Sequence, residues 1–361
     1  MNLKTELKKK ILIVVGSTGG HYFPGITLGE NIRDQGSDID VVFAGERKIR
    51  NLEIWEKQGL NFVSLEVVKR PGKKILFPFI LLQATFALVK NALFISRMKP
   101  NLVVGMGSYT SVFVGMAALL MRKPFIVHEQ NLVPGLANRV LNFFGAPAAI
   151  TFKETARFLK NTIHTGLPLR KEMLLANSRP EDFGLLSNRK TVLVLGGSQG
   201  ASFINNLVIS SIPLLKKNHY QFIHIAGKLD YERIKSHYKK EGINGLVLDF
   251  SFQMPALMSF ADFAIARAGA GTLAELSFRG IPSILIPYRY AGGHQNHNAV
   301  WAEKFGCITM EEQNATPETL INSLLLLEKD AKNRRRLFQT ALIADTGGNL
   351  ARYCLEIIGK R

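Results

Sequence analysis

The chain has 361 residues, of which 47% are hydrophobic, and its 46 Lys and Arg against 28 Asp and Glu give a formal net charge of +18. This length predicts two domains that each bury a core of their own, and the hydrophobic content excludes a disordered chain. The two cysteines, Cys307 and Cys354, have no metal-ligand spacing, which excludes a disulfide framework and a zinc cage.

A basic excess alone is compatible with binding to nucleic acid, to an anionic membrane or to an anionic substrate, and the distribution of the charges helps to choose among these partners. No Asp or Glu occurs between Glu66 and Glu129. The charged residues of that interval are all basic: Lys69, Arg70, Lys73, Lys74, Lys90, Arg97, Lys99, Arg122 and Lys123. Because no nucleic-acid-binding module is present, we expect no nucleic acid and look for an anionic lipid or substrate instead.

Two apolar stretches have features of a targeting or membrane segment, and both are too short. Residues 11–15 follow three lysines, but glycines interrupt them well before the roughly 7 to 15 residues of a signal core. Residues 75–89 are uncharged, yet a membrane span needs about 18 apolar residues. Lysines flank this second stretch, so it is either an interfacial helix on an anionic leaflet or an ordinary helix covering a sheet.

Short aliphatic runs alternate with helical patterns, which predicts parallel sheets built from βαβ units. The predicted strands cover residues 11–15, 40–44, 62–65, 102–105, 125–128, 148–151, 191–195, 221–226, 246–250, 263–266 and 283–287. Both halves begin with a buried strand, a glycine-rich turn and a helix, and the polar segment 164–189 lies between them as a linker. The sequence therefore predicts an α/β protein with two Rossmann-like domains and a cleft between them.

Glycine-rich loops follow four of these strands. They cover residues 16–20, 105–108, 196–200 and 268–272. Glycine lets the backbone approach a ligand, and the N-terminus of the next helix offers free N–H groups, so such loops suit phosphate. One loop alone is a weak signal because glycine also serves helix–sheet packing, but four at the same ends of two sheets indicate anion binding. The first loop lacks the Gly-x-Gly-x-x-Gly dinucleotide fingerprint.

Polar side chains follow the strands of the first half at the same edge. His21 comes directly after the first loop, where its imidazole is either a general base or a brace for the loop. His128, Glu129, Gln130 and Asn131 follow a buried strand, where polar groups are costly without partners. We expect Asn131 to contact a ligand, and His128 and Glu129 to support the turn.

Polar clusters of the second half also have two interpretations. Glu275 lies three residues after Thr272, so it either completes a helix capping box or accepts hydrogen bonds from a ribose diol, and both can hold. Residues 294–298 suit either sugar hydroxyls or helix capping. The Asp-x-Asp pattern at 38–40, which binds metal in some glycosyltransferases, enters a strand rather than leaving one, so we expect no metal there.

Six motifs in order along the chain resemble the MurG family of bacterial peptidoglycan N-acetylglucosaminyltransferases. They are Gly-Ser-Thr-Gly-Gly-His at 16–21, Gly-Met-Gly-Ser-Tyr at 105–109, His-Glu-Gln-Asn at 128–131, Gly-Gly-Ser-Gln-Gly at 196–200, Arg-Ala-Gly-Ala-Gly-Thr-x-x-Glu at 267–275 and His-Gln-x-x-Asn-Ala at 294–299.

The resemblance implies a GT-B fold, in which the parallel sheets of two Rossmann-like domains face a central cleft. Residues 1–165 are then the acceptor- and membrane-binding domain, residues 166–340 the UDP-sugar domain, and residues 341–361 a C-terminal helix that packs back toward the first domain. The implied reaction transfers GlcNAc from UDP-GlcNAc to the MurNAc 4-hydroxyl of undecaprenyl-diphosphate-MurNAc-pentapeptide, lipid I, with inversion, to give lipid II.

The resemblance also implies individual roles. From the first domain, the donor would meet Thr18, Gly19, Gly20 and Asn131. From the second it would meet Arg170, Ser198, Gly271, Thr272, Glu275 and Gln295, with Ser198 near phosphate and Glu275 on the ribose. His21 is the candidate base, and the acceptor diphosphate is expected near Gly105, Gly107, Ser108 and Tyr109. No cofactor or metal is required, because helix N-termini meet the charge of the departing UDP.

The implied partners are UDP-GlcNAc, lipid I, the anionic inner leaflet and other cell-wall synthesis proteins, at the cytoplasmic face of the membrane, where the protein is peripheral. The chain departs from the family pattern at Leu167, which replaces an asparagine, at Ser17 and Ser108, which replace glycines, and at 112–113, where Val-Phe replaces Gly-Pro. Three alternatives stay open: a glycosyltransferase acting on another lipid such as diacylglycerol, a UDP-sugar epimerase, and a non-catalytic lipid-binding scaffold.

Overall fold

The computed structural model describes residues 8–36, 38–50, 53–65, 77–174, 180–196, 202–215, 220–288, 293–341 and 343–359. The chain forms two compact units. Unit 1 comprises Met1–Pro168 together with Asp345–Arg361, and unit 2 comprises Leu169–Ala344. The first division falls after Pro168, whereas the sequence predicted it after residue 165.

Unit 1 is built on a parallel sheet of seven strands. They are β1 (Lys9–Val14), β2 (Ile39–Glu46), β3 (Asn61–Leu65), β4 (Leu102–Gly105), β5 (Phe125–Glu129), β6 (Ala148–Ile150) and β7 (Thr162–His164). The order across the sheet is β3-β2-β1-β4-β5-β6-β7, and every neighbouring pair is parallel. Strand order therefore reverses between β1 and β4, and the carboxyl ends of those strands are where such folds bind ligands.

Helices cover both faces of this sheet. They are α1 (Gly19–Gln35), α2 (Ile54–Lys57), α3 (Phe77–Met98), α4 (Ser108–Leu120), α5 (Leu136–Phe143) and, from the end of the chain, α13 (Asn349–Gly359). One core joins β1, β2 and β4 to α1 and α13, and a second joins the other face to α3, α4 and α5. Gly29 of α1 allows close packing on the sheet, because a β-carbon there would lie 2.4 Å from Phe43.

Unit 2 repeats the architecture with six parallel strands. They are β9 (Lys190–Leu195), β10 (Tyr220–Ile225), β11 (Gly245–Leu248), β12 (Phe263–Ala266), β13 (Ser283–Leu285) and β14 (Ile308–Thr309), in the order β11-β10-β9-β12-β13-β14. The order reverses between β9 and β12, the counterparts of β1 and β4. The strands β9, β12 and β13 are buried on both faces, which is why they read as continuous apolar runs.

The helices of unit 2 are α6 (Ser202–Leu215), α7 (Tyr231–Glu241), α8 (Met254–Ser259), α9 (Ala270–Arg279), α10 (His294–Glu303), α11 (Pro317–Lys329) and α12 (Ala331–Gln339). Short 3₁₀ helices lie at Arg47–Ile49, Lys153–Arg157, Lys171–Leu174, Pro180–Phe183 and Glu312–Asn314. Two-residue strands, β8 (Leu167–Pro168) and β15 (Ala344–Asp345), lie where the chain passes from one unit to the other.

The apolar stretch predicted at 75–89 belongs to α3, which continues to Met98; its first two residues lie outside the described ranges. None of the helices in the described ranges combines the length and the apolar character needed to cross a membrane.

Candidate functional site

In unit 1, three motifs that are far apart in sequence meet at the carboxyl ends of β1, β4 and β5. A β-carbon added to Gly16 would lie 2.7 Å from Cβ of Ser108 and 2.8 Å from Nδ1 of His21. A β-carbon on Gly107 would lie 3.3 Å both from Nε2 of His21 and from Oε1 of Gln130. A side chain at Gly16 would therefore overlap His21 and Ser108. One at Gly107 would crowd His21 and Gln130 and would also be strained by the φ of 82°.

His21 lies in the first turn of α1 and is half-buried. Its Nδ1 lies 2.8 Å from Oγ1 of Thr18, the N-cap residue of the same helix. This contact fixes the orientation of the imidazole ring. It is compatible with both predicted roles of His21, as a support for the loop and as a general base. A β-carbon on Gly20 would meet no atom within 4 Å in the part of the chain that the structure describes.

His128 and Gln130 form a buried chain of hydrogen bonds beneath this edge. His128 Nε2 lies 3.0 Å from the carbonyl of Gly166, which can only accept, so this nitrogen carries the proton. Nδ1 then accepts from Nε2 of Gln130 at 3.2 Å, and the same amide donates to the carbonyl of Met106 at 2.9 Å. Burial, reinforced by the nearby His21, lowers the pKa of His128 to about 4 although the Gly166 bond opposes it, so the ring is neutral at pH 7.

Glu129 organises the turn after β5. Its Oε1 accepts from the N–H of Asn131 at 2.9 Å, and its Oε2 accepts from the N–H of Gly135 at 3.0 Å and from Asn138 at 2.8 Å. The buried carboxylate thus satisfies donors at the start of α5, which is the supporting role predicted for it. Asn131 is partly exposed at the tip of this turn.

The loop at 105–109 leads directly into α4. Gly107 is the N-cap residue with φ of 82°, and Ser108, the first helical residue, has φ of 74°. The second value is costly for a residue with a side chain, which explains why glycine is usual there. Tyr109 is exposed and packs edge-on against Phe113, with ring centroids 5.3 Å apart.

In unit 2, the structure excludes one of the two interpretations of residues 272–275, the capping box. The helix α9 begins at Ala270 with Gly269 as its N-cap residue, so Thr272 and Glu275 already lie inside it. The start of α9 could not be predicted from the local sequence, because the N-cap residue is Gly269, which has no capping side chain to mark the position. Glu275 is consequently free of a capping role.

Glu275 instead pairs with another residue predicted to bind the donor. Its Oε1 lies 2.9 Å from Nη2 of Arg170, and both side chains are partly exposed. Arg170 precedes the 3₁₀ helix Lys171–Leu174, far from α9 in sequence. The structure therefore brings these two predicted donor residues together within unit 2.

Two further predicted donor residues of unit 2, Gly271 and Gln295, lie in the first turns of α9 and α10. A β-carbon on Gly271 would meet none of the described residues within 4 Å. Gln295, in the first turn of α10, accepts through Oε1 from the N–H of Tyr288 at 2.9 Å. Ser198 and most of the loop at 196–200 lie outside the described residues.

No specific partner was predicted for two motif residues at these edges, Asn298 and Arg267, and a third residue, Glu312, had no signal at all in the sequence. Asn298 of α10 is fully buried, and its amide donates to the carbonyl of Ala268 at 3.1 Å. Arg267 is also buried and pairs with Glu312, 2.6 Å away. Both Arg267 and Asn298 stood within recognised motifs, but Glu312 had no signal of its own. Within the described ranges, no group of three or more His, Cys, Asp or Glu is placed to hold a metal ion, and independence from metal stays a prediction.

Comparison with known proteins relates both units to one enzyme family. Residues 11–150 match the glycosyltransferase family 28 N-terminal domain, and residues 191–344 match the glycosyltransferase family 28 C-terminal domain. A relative from Halothermothrix orenii is 34% identical over 350 residues, which is 92% of this chain and 94% of that protein. It is named UDP-N-acetylglucosamine–N-acetylmuramyl-(pentapeptide) pyrophosphoryl-undecaprenol N-acetylglucosamine transferase.

The chain belongs to glycosyltransferase family 28, in its MurG group. The predicted family, enzyme class and GT-B fold class are thereby confirmed. The crystal structure of MurG from Acinetobacter baumannii has a TM-score of 0.76 at 23% identity and covers 98% of this chain and 100% of its own. UDP-GlcNAc 2-epimerase from Neisseria meningitidis also shares the fold, with a TM-score of 0.68 at 13% identity, covering 98% of this chain and 100% of its own.

Proposed function

We propose that this family 28 enzyme transfers GlcNAc from UDP-GlcNAc to the MurNAc 4-hydroxyl of undecaprenyl-diphosphate-MurNAc-pentapeptide, with inversion at the anomeric carbon. The observation that carries the proposal is the match along 92% of the chain to a relative whose name states a transfer of this kind. Membership of the MurG group favours this lipid over diacylglycerol.

In this proposal, UDP-GlcNAc is the substrate and unit 2 supplies most of its contacts. Glu275 accepts hydrogen bonds from the ribose hydroxyls, since a carboxylate that already orients on Arg170 has further lone pairs to offer. Gly271, Thr272 and the N-terminal N–H groups of α9 meet the diphosphate, for which the open space at Gly271 leaves room. Ser198 and Gln295 complete the donor set, with Thr18, Gly19, Gly20 and Asn131 contributed by unit 1.

His21 is the proposed general base. In this proposal Nδ1–H donates to the hydroxyl of Thr18, 2.8 Å away, and Nε2 takes the proton of the acceptor hydroxyl. The attacking oxygen then bonds to the anomeric carbon as the bond to UDP breaks, and the leaving diphosphate carries the displaced electron pair. Helix N-termini stabilise this charge. The acceptor diphosphate is assigned to Gly105, Gly107, Ser108 and Tyr109, at the start of α4.

We further propose that unit 1 docks on the anionic inner leaflet, at the cytoplasmic face of the membrane. An apolar stripe supports this: Leu82, Phe86, Val89 and Leu93 are exposed by 67%, 59%, 52% and 52%, successive turns apart along α3. Nζ of Lys90 lies 4.5 Å from the ring centroid of Phe86, which places a positive charge beside the stripe that suits lipid phosphates.

The deciding assay for the reaction is UDP release from UDP-GlcNAc in the presence of lipid I, diacylglycerol or no lipid. Release that depends on lipid I, with label recovered in the lipid product, is expected. Exclusive transfer to diacylglycerol would identify the related lipid glycosyltransferase. Epimerised UDP-sugar without any lipid would identify an epimerase, and neither product would indicate a scaffold.

The membrane proposal is tested by sedimentation with vesicles that contain anionic phospholipid. Phe86→Ser combined with Leu93→Ser is expected to reduce the bound fraction several-fold, and added salt is expected to weaken binding of the parent protein. Leu326→Ser, an equally exposed leucine on α11 of unit 2, is the matched control. Equal binding of the parent and the double variant would refute the stripe as the docking surface.

A further inference from the structure

Glu312 lies outside every sequence motif, yet its side chain meets the first residue of the motif at 267–275. It begins the 3₁₀ helix Glu312–Asn314, which follows β14. Its Oε1 lies 2.6 Å from Nη2 of Arg267, and the two side chains are 18% and 10% exposed. Because the pair is largely removed from water, its loss affects stability more than loss of a surface ion pair does. Removing one partner leaves the other charge buried without a counter-charge.

Arg267 connects the ends of four neighbouring strands. It directly follows β12, and its backbone N–H donates to the carbonyl of Leu195 at the end of β9, at 3.3 Å. Its Nη1 donates to the carbonyl of Ile286, just after β13, at 2.9 Å. Its Nη2 reaches Glu312 beyond β14. The planar fork of a guanidinium can make these separate bonds at once, which an ammonium cannot.

The same guanidinium also supports a residue that holds Gln295. The Cζ atom of Arg267 lies 5.4 Å from the ring centroid of Tyr288, in the range of a cation–π contact. The N–H of Tyr288 in turn donates to Oε1 of Gln295 at 2.9 Å. A continuous set of contacts therefore runs from Glu312 through Arg267 and Tyr288 to a proposed donor-binding residue.

We propose that Glu312 and Arg267 are positioning residues for the UDP-GlcNAc site, an inference that rests on the proposed function. Neither residue touches the substrate. The carboxylate of Glu312 holds the guanidinium, and the guanidinium in turn bonds to the carbonyl of Ile286 and packs against the ring of Tyr288. The pair lowers the cost of ordering these segments around the nucleotide.

The test compares Glu312→Gln with Glu311→Gln in the full chain, using UDP-GlcNAc and lipid I. Both variants lose one carboxylate from adjacent positions, but Glu311 is exposed and its carboxylate accepts from the neighbouring Gln313 at 2.7 Å rather than from a distant residue. We expect Glu312→Gln to raise the KM for UDP-GlcNAc about tenfold, equivalent to one charge-assisted hydrogen bond. The KM for lipid I and kcat should stay near those of the parent, whereas Tm should fall because Arg267 keeps its charge without its carboxylate partner. Glu311→Gln should match the parent throughout.

Arg267→Lys is the second variant, and titration of UDP by calorimetry is the second measurement. We expect it to weaken UDP binding as Glu312→Gln does, because the ammonium keeps the charge and loses the fork. Unchanged donor KM and UDP affinity in both variants, or a lower kcat and Tm without a change in donor KM, would overturn the positioning role. Absence of transfer by the parent enzyme would overturn the proposed function itself.

Discussion

Arg170 and Glu275 form an ion pair in unit 2, with Nη2 and Oε1 2.9 Å apart although 105 residues separate them in sequence. Because both side chains are partly exposed, the pair contributes at most about 1 kcal/mol to folding. Its larger effect concerns the ligand. An unpaired carboxylate beside the site proposed for a diphosphate would repel that anion, and Arg170 offsets this charge while leaving lone pairs of Glu275 for hydroxyl groups.

Glu275→Ala is expected to raise the Kd for UDP-GlcNAc about 10- to 100-fold, because two hydrogen bonds to a ribose diol are lost. Calorimetric titration measures the affinity, and Tm should change little because the pair is partly solvated. Glu275→Gln keeps the shape and one acceptor oxygen, so it should lose less affinity. Unaltered binding by Glu275→Ala would remove Glu275 from the donor site.

His21→Ala is expected to lower kcat about 10²- to 10⁴-fold with little change in donor KM, since proton transfer acts on the transition state. His21→Asn distinguishes the general-base role from the loop-supporting role, because an amide can still bond to Thr18 but cannot take the proton. We expect Asn to be as impaired as Ala in steady-state assays with lipid I. Near-parental activity of His21→Asn would show that the ring only braces the loop.

Gly271→Ala is expected to weaken donor binding without destabilising unit 2. Among the described residues, none lies within 4 Å of a β-carbon at this helical position, so we expect the folded chain to accept it. The methyl group would instead occupy space that we assign to the diphosphate, and the donor KM should rise about tenfold, equivalent to about 1.4 kcal/mol. Gly359→Ala, at the end of α13 and equally open, is the control. A parental KM for Gly271→Ala would argue against phosphate at the start of α9.

Acid should destabilise unit 2 through His224. This side chain is fully buried between Asn205, 2.9 Å from Nε2, and Tyr238, 3.1 Å from Nδ1. Burial lowers its pKa from 6.5 to about 3, opposed by Asp230 and aided by Arg233. Below pH 6.5 the unfolded chain therefore binds a proton that the folded chain excludes, and stability falls as the pH drops toward 3. The loss at pH 5 is about 2 kcal/mol.

The corresponding measurement is the change in Tm between pH 7 and pH 5. His224→Gln should show a smaller change than the parent protein, even if its Tm at pH 7 is lower because buried hydrogen bonds are altered. His237→Gln, on α7 of the same unit, controls for removal of a histidine. An identical pH response in His224→Gln and the parent would exclude this histidine as the cause.

The central strands of both sheets were predictable because each is an apolar run with glycine after it. Residues 11–15 and 191–195 predicted β1 and β9 to within two residues. The strands β7 and β14 were missed, since they are short and only partly buried, and such strands lack a continuous apolar signal. The apolar stretch predicted at 75–89 proved shorter than α3 because the second half of that helix is amphipathic and carries Arg97.

The sequence by itself determined the family, the α/β class and the glycine-rich loops, because strand runs, turns and motifs are local patterns. Only the tertiary structure decided which polar groups meet. By sequence, Glu275 was compatible with a capping box. In the structure, α9 begins at Ala270, and the carboxylate of Glu275 pairs with Arg170 instead. Likewise, His128 is hydrogen-bonded to the carbonyl of Gly166, and Arg267 forms an ion pair with Glu312. Such pairs follow from strand order and the crossovers between strands, which bring distant segments to one edge of a sheet, and no local spacing encodes them.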